Sequence, residues 1–127
     1  NNQKSLRQVG LIDFQDAVIG SPLYDLASLL EDVRRPLKSN LKKKLLEFYL
    51  KTINTNVQDA EREMRFFSIQ RNLKILGIFC RLSIRDKKDS YLKYLPNTVK
   101  LIRKNLKDPF FINLVNWLKQ FKNHELI

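Results

Sequence analysis

A chain of 127 residues with 43% hydrophobic content can bury one modest core and is too apolar to be a disordered tail. No run of about eighteen apolar residues occurs, so no membrane-spanning helix is expected, and a single cysteine excludes an internal disulfide framework. The net charge of +11 raises the question of nucleic acid. The basic residues are scattered, however, with Lys42-Lys43-Lys44 and Lys87-Lys88 the tight runs, so they read as solvated helix faces or as a field that draws in anionic substrates.

Asn1-Asn2-Gln3-Lys4 reads as a turn, without an apolar signal region or an initiator Met. Leu6 to Phe14 reads as a strand, with Val9, Leu11 and Ile12 supplying bulk, and its apolar run ends in the carboxylate of Asp13. A lone strand cannot satisfy its own backbone, so this one needs pairing partners. A carboxylate at the mouth of a short buried strand suits a hard cation such as Mg²⁺, which takes oxygen ligands. Taken alone, Asp13 reads equally as a strand-end residue opening an Asx-type turn.

Ser21-Pro22 marks a helix start, since Ser caps well and Pro is tolerated at the first helical position. Leu23, Leu26, Ala27 and Leu30 follow at helical spacing, and Asp25 complements the dipole in the first turn. This helix is expected to end before Pro36, with Arg34 and Arg35 in its last turn. A second helix is expected over Leu41 to Ile53, with Leu41, Leu45, Leu46, Phe48 and Tyr49 as its stripe and Asn54-Thr55-Asn56 as its break.

Gln58 to about Ile84 reads as one long helix. Phe66, Ile69, Leu73, Leu76 and Cys80 line one face, Ile75, Ile78, Phe79 and Leu82 widen it, and Cys80 is expected to be buried. Gly77 costs stability there unless close packing requires it. Gln70, Arg71, Lys74 and Arg81 interrupt the apolar surface, so they either pair with acids such as Glu61 or Glu63 or face a cleft. Lys87 to Tyr94, Pro96 to Leu106 and Pro109 to Phe121 suggest further short helices, and His124, the one histidine, reads as exposed. No cluster of His and Cys is available for a metal. The expected fold is mainly α: a strand and loop over residues 1–20 feeding a bundle of about five helices over 21–127.

The run Gly10-Leu11-Ile12-Asp13-Phe14-Gln15-Asp16-Ala17, followed by Gly20-Ser21-Pro22 and Tyr24 to Asp32, resembles the metal-binding strand end of aminoglycoside phosphotransferase and choline kinase-like enzymes. These are distant relatives of protein kinases. Within that family the chain is most similar to cell-wall sugar kinases that phosphorylate the anomeric hydroxyl of N-acetylmuramate or N-acetylglucosamine. The likeness resumes through Gln70 to Leu82, Arg85-Asp86-Lys87-Lys88 and Tyr91-Leu92. Those enzymes tend to have Gly where Lys88 stands.

The resemblance implies the C-terminal helical lobe of a protein-kinase-like phosphotransferase, with a strand or hairpin remnant at its N-terminus. It implies that Asp13 is a Mg²⁺ ligand, that Phe14 packs behind it, and that Gln15 and Asp16 orient it or the water beside it. It gives Asp25 the task of accepting hydrogen bonds from the backbone of the catalytic loop. It places Gln70, Arg71, Lys74 and Arg81 along the sugar site. ATP is the implied donor, a sugar hydroxyl the acceptor and the cytoplasm the compartment. The sequence has no Gly-rich phosphate loop, no nucleotide-binding Lys on a preceding strand and no His-x-Asp-x-x-x-x-Asn loop. Asn1 and Asn2 read as the hairpin turn after that loop's strand. The base, the second metal ligand and the adenine pocket are therefore expected upstream, in a missing N-terminal lobe, and the chain alone is expected to be inactive. Two alternatives stand beside this reading. One is a phosphotransferase acting on an aminoglycoside, choline or another small alcohol. The other is a non-catalytic helical binding module, which in its basic-surface version binds nucleic acid.

Overall fold

Residues 18–121 are the part of the chain that the computed structural model describes. The expected strand, with Asp13, Gln15 and Asp16, and the terminal His124 lie outside the described residues. Among the described residues there are five α-helices and no strand: α1 (Leu23–Leu30), α2 (Ser39–Ile53), α3 (Val57–Ile84), α4 (Leu95–Leu106) and α5 (Ile112–Leu118). Short 3₁₀ turns over Asp89–Tyr94 and Pro109–Phe111 lead into α4 and α5.

Helix α1 begins as expected, with the Ser21 hydroxyl accepting from the Leu23 N–H at 3.1 Å. It ends at Leu30, earlier than expected, and Arg34 and Arg35 lie beyond it. The cause is local. The Asp32 carboxylate accepts from the Arg34 backbone N–H at 2.9 Å, closing an Asx turn that competes with the helical hydrogen bonds. Helix α2 stops at Asn54, which takes the left-handed conformation (φ 49°). Its stripe is only half inserted: Leu45, Leu46, Tyr49 and Ile53 pack on the core, whereas Leu41 and Phe48 are exposed. The Tyr49 hydroxyl donates to the Pro22 carbonyl at 2.7 Å and ties α2 to the start of α1.

Helix α3 runs 28 residues, and Asn56 caps it by accepting from the Gln58 and Asp59 N–H groups. Its buried face differs from the expected one. Ala60, Met64, Ser68, Ile69, Asn72 and Phe79 are buried, while Phe66 and Cys80 are exposed. Each helical residue is turned about 100° from the last, so placing Phe79 inward puts Cys80 out. Phe79 wins that position because the rings of Tyr91 and Tyr94 stack around it at 5.4 and 6.0 Å. Gly77 is exposed, and a Cβ built on it would meet nothing within 4 Å, so close packing does not account for it.

Two apolar clusters share α3. One joins Leu23, Ala27 and Leu30 of α1 to Leu50, Ala60 and Met64. The other joins Ile69 to Ile102 and Leu106 of α4 and to Phe111. A buried polar seam separates them. Asn72 Nδ2 donates to the Ser68 carbonyl at 2.8 Å and to its hydroxyl at 3.3 Å, and Asn105 Nδ2 donates across from α4 to the same hydroxyl at 2.8 Å. Removing the buried hydroxyl strands the Asn105 amide, while the Asn72 amide keeps the Ser68 carbonyl. Ser68→Ala is therefore expected to lower stability by about 1–3 kcal/mol, read from denaturant midpoints. A change within a few tenths would show that water replaces the hydroxyl.

The end of α3 carries the second left-handed residue, Lys87 (φ 55°), while Lys88 has φ −102°. The Lys88 N–H reaches back to the Leu82 carbonyl at 3.0 Å. Glycine is therefore wanted at position 87, one residue before Lys88, the position at which the resemblance leads one to expect it. Lys87→Gly is expected to gain about 1 kcal/mol, since a left-handed conformation strains any side chain. Lys88→Gly should gain nothing, and the reverse order in thermal melts would place the strain wrongly.

Candidate functional site

The turn that ends α1 also builds a site. Having closed the Asx turn, Asp32 receives the Arg34 guanidinium as a fork, Nε to Oδ1 at 3.1 Å and NH2 to Oδ2 at 2.9 Å. These hydrogen bonds hold the Asp32 carboxyl below the usual carboxylate range, against the opposing effect of partial burial, and the charge of Arg71 adds to the shift. Arg71 is half-buried on the side of α3 that faces this turn, and its Nε is buried with no hydrogen-bond partner among the described residues.

Across from the turn stands the 3₁₀ segment Asp89–Tyr94. Its Tyr91 and Tyr94 rings are held by Phe79, and the Lys93 ammonium lies 5.1 Å from the Tyr94 ring centre. Between the two segments opens a cleft of about 740 Å³, within the range of small-molecule sites. Leu29, Leu37, Tyr91 and Tyr94 give it apolar surface. Arg34, Arg35 and Lys93 outnumber Asp32, so the cleft is positively charged. Such a lining can hold a hydroxylated ring against aromatic faces, accept a hydrogen bond from a hydroxyl at Asp32 and bind an anionic substituent at Arg35 or Lys93.

The residues singled out from sequence fare unequally. Arg71 does not line the cleft, and it bears on it only through its charge, which helps to lower the Asp32 carboxyl. Gln70, Lys74 and Arg81 are exposed and follow one stripe of α3 with Gly77, opposite the buried face of Ser68, Asn72 and Phe79 and about a quarter turn from Arg71. Gln70 borders a separate apolar groove under Phe66, Phe110 and Phe111. Glu61 and Glu63 do not pair with any of these four; Glu61 pairs with Arg65 at 3.7 Å, and Arg65 also pairs with Asp108. Asp25 sits exposed in the first turn of α1 and makes no hydrogen bond or ion pair among the described residues. No group of three or more His, Cys, Asp or Glu among the described residues could hold a metal ion. No helix among them is long and apolar enough to cross a membrane. Arg34, Arg35, Lys93 and the two tyrosines went unassigned from sequence. The Asp-x-Arg spacing of Asp32-Val33-Arg34 was the one local signal that could have found the turn.

Among known proteins, the family model for the phosphotransferase enzyme family matches residues 4–67. The chain is 31% identical over 118 residues to the N-acetylmuramate/N-acetylglucosamine kinase of Caulobacter vibrioides, covering 90% of this chain and 32% of that protein. It is 36% identical over 102 residues to the enzyme of the same name from Neisseria meningitidis, covering 75% of this chain and 30% of the other. The Pseudomonas putida enzyme of that name is 31% identical over 104 residues, 76% of this chain and 30% of its own length. The chain thus spans about a third of the length of these relatives.

The Asp32–Arg34 fork predicts an acid-sensitive term in stability. The folded carboxyl titrates below its unfolded value of about 3.9. Its stabilisation is complete above that value and is lost as pH falls through the folded one. Asp32→Asn should therefore lower the melting temperature at neutral pH and flatten its decline below about pH 4. Asp108, held low chiefly by the Phe110 N–H, supplies part of the slope that remains. An acid limb of unchanged steepness in the variant would dismiss the fork as a contributor.

Proposed function

The chain belongs to the phosphotransferase enzyme family, and on that premise we propose that it is the C-terminal helical lobe of an ATP-dependent kinase for a hydroxyl of a cell-wall amino sugar. The observation that carries the proposal is the set of relatives named N-acetylmuramate/N-acetylglucosamine kinase, whose likeness extends over 75% to 90% of this chain. The likeness includes the α1 region that builds the cleft.

Phosphoryl transfer is mainly positioning and charge neutralisation. In this reading Asp13 would hold a Mg²⁺, which would supply charge neutralisation for phosphoryl transfer, Gln15 and Asp16 would orient Asp13 or the water beside it, and Asp25 would steady the backbone of the catalytic loop. The nucleotide pocket and the base belong to the remainder of a longer protein. The described helices contribute the acceptor end. Tyr91 and Tyr94 face the sugar ring, Asp32 accepts from one of its hydroxyls, and Arg71 helps keep Asp32 ionised. Arg35 and Lys93 pair with no carboxylate among the described residues, so they are available for the lactyl carboxylate of N-acetylmuramate. Gln70, Lys74 and Arg81 stand on another stripe, and the proposal gives sugar contact to the cleft instead. The charge of the cleft also weighs on the alternatives. Aminoglycosides and choline are cations, and a site with Arg34, Arg35 and Lys93 against one carboxylate disfavours them.

The test is ADP release by the full-length protein with each acceptor in turn. N-acetylmuramate and N-acetylglucosamine should support turnover, and an aminoglycoside and choline should not. Turnover with the cations alone would refute the acceptor assignment, and no turnover with any acceptor would refute the kinase reading. Asp13→Asn should cut turnover on the order of a hundredfold while the protein stays folded. Replacing Arg35 and Lys93 together with Ala should raise KM for N-acetylmuramate about tenfold, with KM for N-acetylglucosamine and ATP little changed.

A further inference from the structure

Helix α4 buries Thr98, Ile102, Asn105 and Leu106 and turns Lys100, Lys104 and Lys107 outward. Their spacing of four and then three residues stacks them in one row about 10 Å long. Like charges at this spacing repel each other on a helix. None of the three pairs with a carboxylate among the described residues.

The row borders a groove of about 790 Å³ between α4 and the segment that joins α1 to α2. Pro36 and Leu101 give the groove apolar surface. Lys42 also lines it, but its ammonium is held by Glu31 at 3.2 Å. Asp32 is the one acid in the lining, and Arg34 already binds both of its oxygens. Arg103 lines the groove too and is already engaged by an interaction of its own. The groove therefore presents the ammonium groups of Lys100, Lys104 and Lys107, unpaired with any carboxylate among the described residues, beside a surface that can take an apolar or ring-shaped group. Burial on the opposite side of α4 prevents the row from turning away.

We propose that this groove binds a small molecule carrying a diphosphate, at a site that meets the acceptor cleft at Asp32 alone. Two linked phosphoryl groups bring between two and three negative charges, which match the three lysines, and point charges of this kind suit phosphate oxygens. The rest of the ligand, a sugar or nucleoside, lies toward Pro36 and Leu101. The proposal rests on the groove alone and does not depend on the kinase reading.

Inorganic pyrophosphate is the probe, titrated calorimetrically into the full-length protein at fixed ionic strength. Lys100→Glu with Lys104→Glu reverses the row, and Lys44→Glu with Lys119→Glu makes the same change of net charge at exposed positions outside the groove. Circular dichroism checks that both variants stay folded. The expected result is binding that weakens about tenfold or more in the groove variant and holds in the control. Equal weakening in both variants would reduce the effect to net charge and overturn the site, as would an isotherm that the groove variant leaves unchanged. A single-stranded oligonucleotide that binds more tightly than pyrophosphate, and is lost in the same variant, would overturn the small-molecule reading in favour of a nucleic-acid surface.

Discussion

The buried hydroxyl of Ser68 fixes how α3 meets α4, and the functional surface depends on that meeting. Two asparagine amides converge on it, one from its own helix and one from across the interface. Apolar contacts alone would tolerate sliding of one helix along the other, whereas a hydrogen bond between fully enclosed groups has one good register. With that register set, α4 holds the preceding 3₁₀ turn against Phe79, and the turn presents Tyr91 and Tyr94 to the cleft. A hydroxyl at the centre of the bundle thus governs the shape of a wall at its surface.

Much of the helical framework was legible from residue chemistry. Asn54 and Asn56 announced the break between α2 and α3, because one takes a left-handed conformation readily and the other caps. Pro96 and Pro109 marked the beginnings of the last two segments. Periodicity failed where tertiary partners decided. Nothing within α3 tells Phe79 from Cys80 as the inward residue; the tyrosines of a later segment do. Ser68 and Asn72 carry no local signal of burial, since the Ser68 hydroxyl finds its second amide on Asn105, more than thirty residues away. The end of α1 was misread for a different reason. A side chain competing for its own backbone at Asp32 overrode an otherwise regular apolar spacing.

The candidate site was legible only in part. The metal-binding assignment of Asp13 rests on resemblance, and the residue lies outside the described part of the chain. Arg71 stood out because a cation on an apolar helix needs an explanation, and its charge does bear on Asp32. The cleft itself joins two segments almost sixty residues apart, which no local pattern could bring together. Its character is that of a recognition surface. Positive charge, aromatic faces and a fixed carboxylate meet in it, a combination suited to holding a small molecule.

The outward placement of Cys80 has a practical consequence. A buried thiol reacts only when the chain opens, and alkylation then counts opening events. Here the chain's single thiol is open to reagent in the native state, so its modification rate says little about unfolding. It is instead a ready attachment point for one fluorophore per chain, without mutagenesis. That dye would sit next in sequence to Phe79, the ring that props up the cleft wall. Shifts in its emission would follow movements of that wall when a ligand enters.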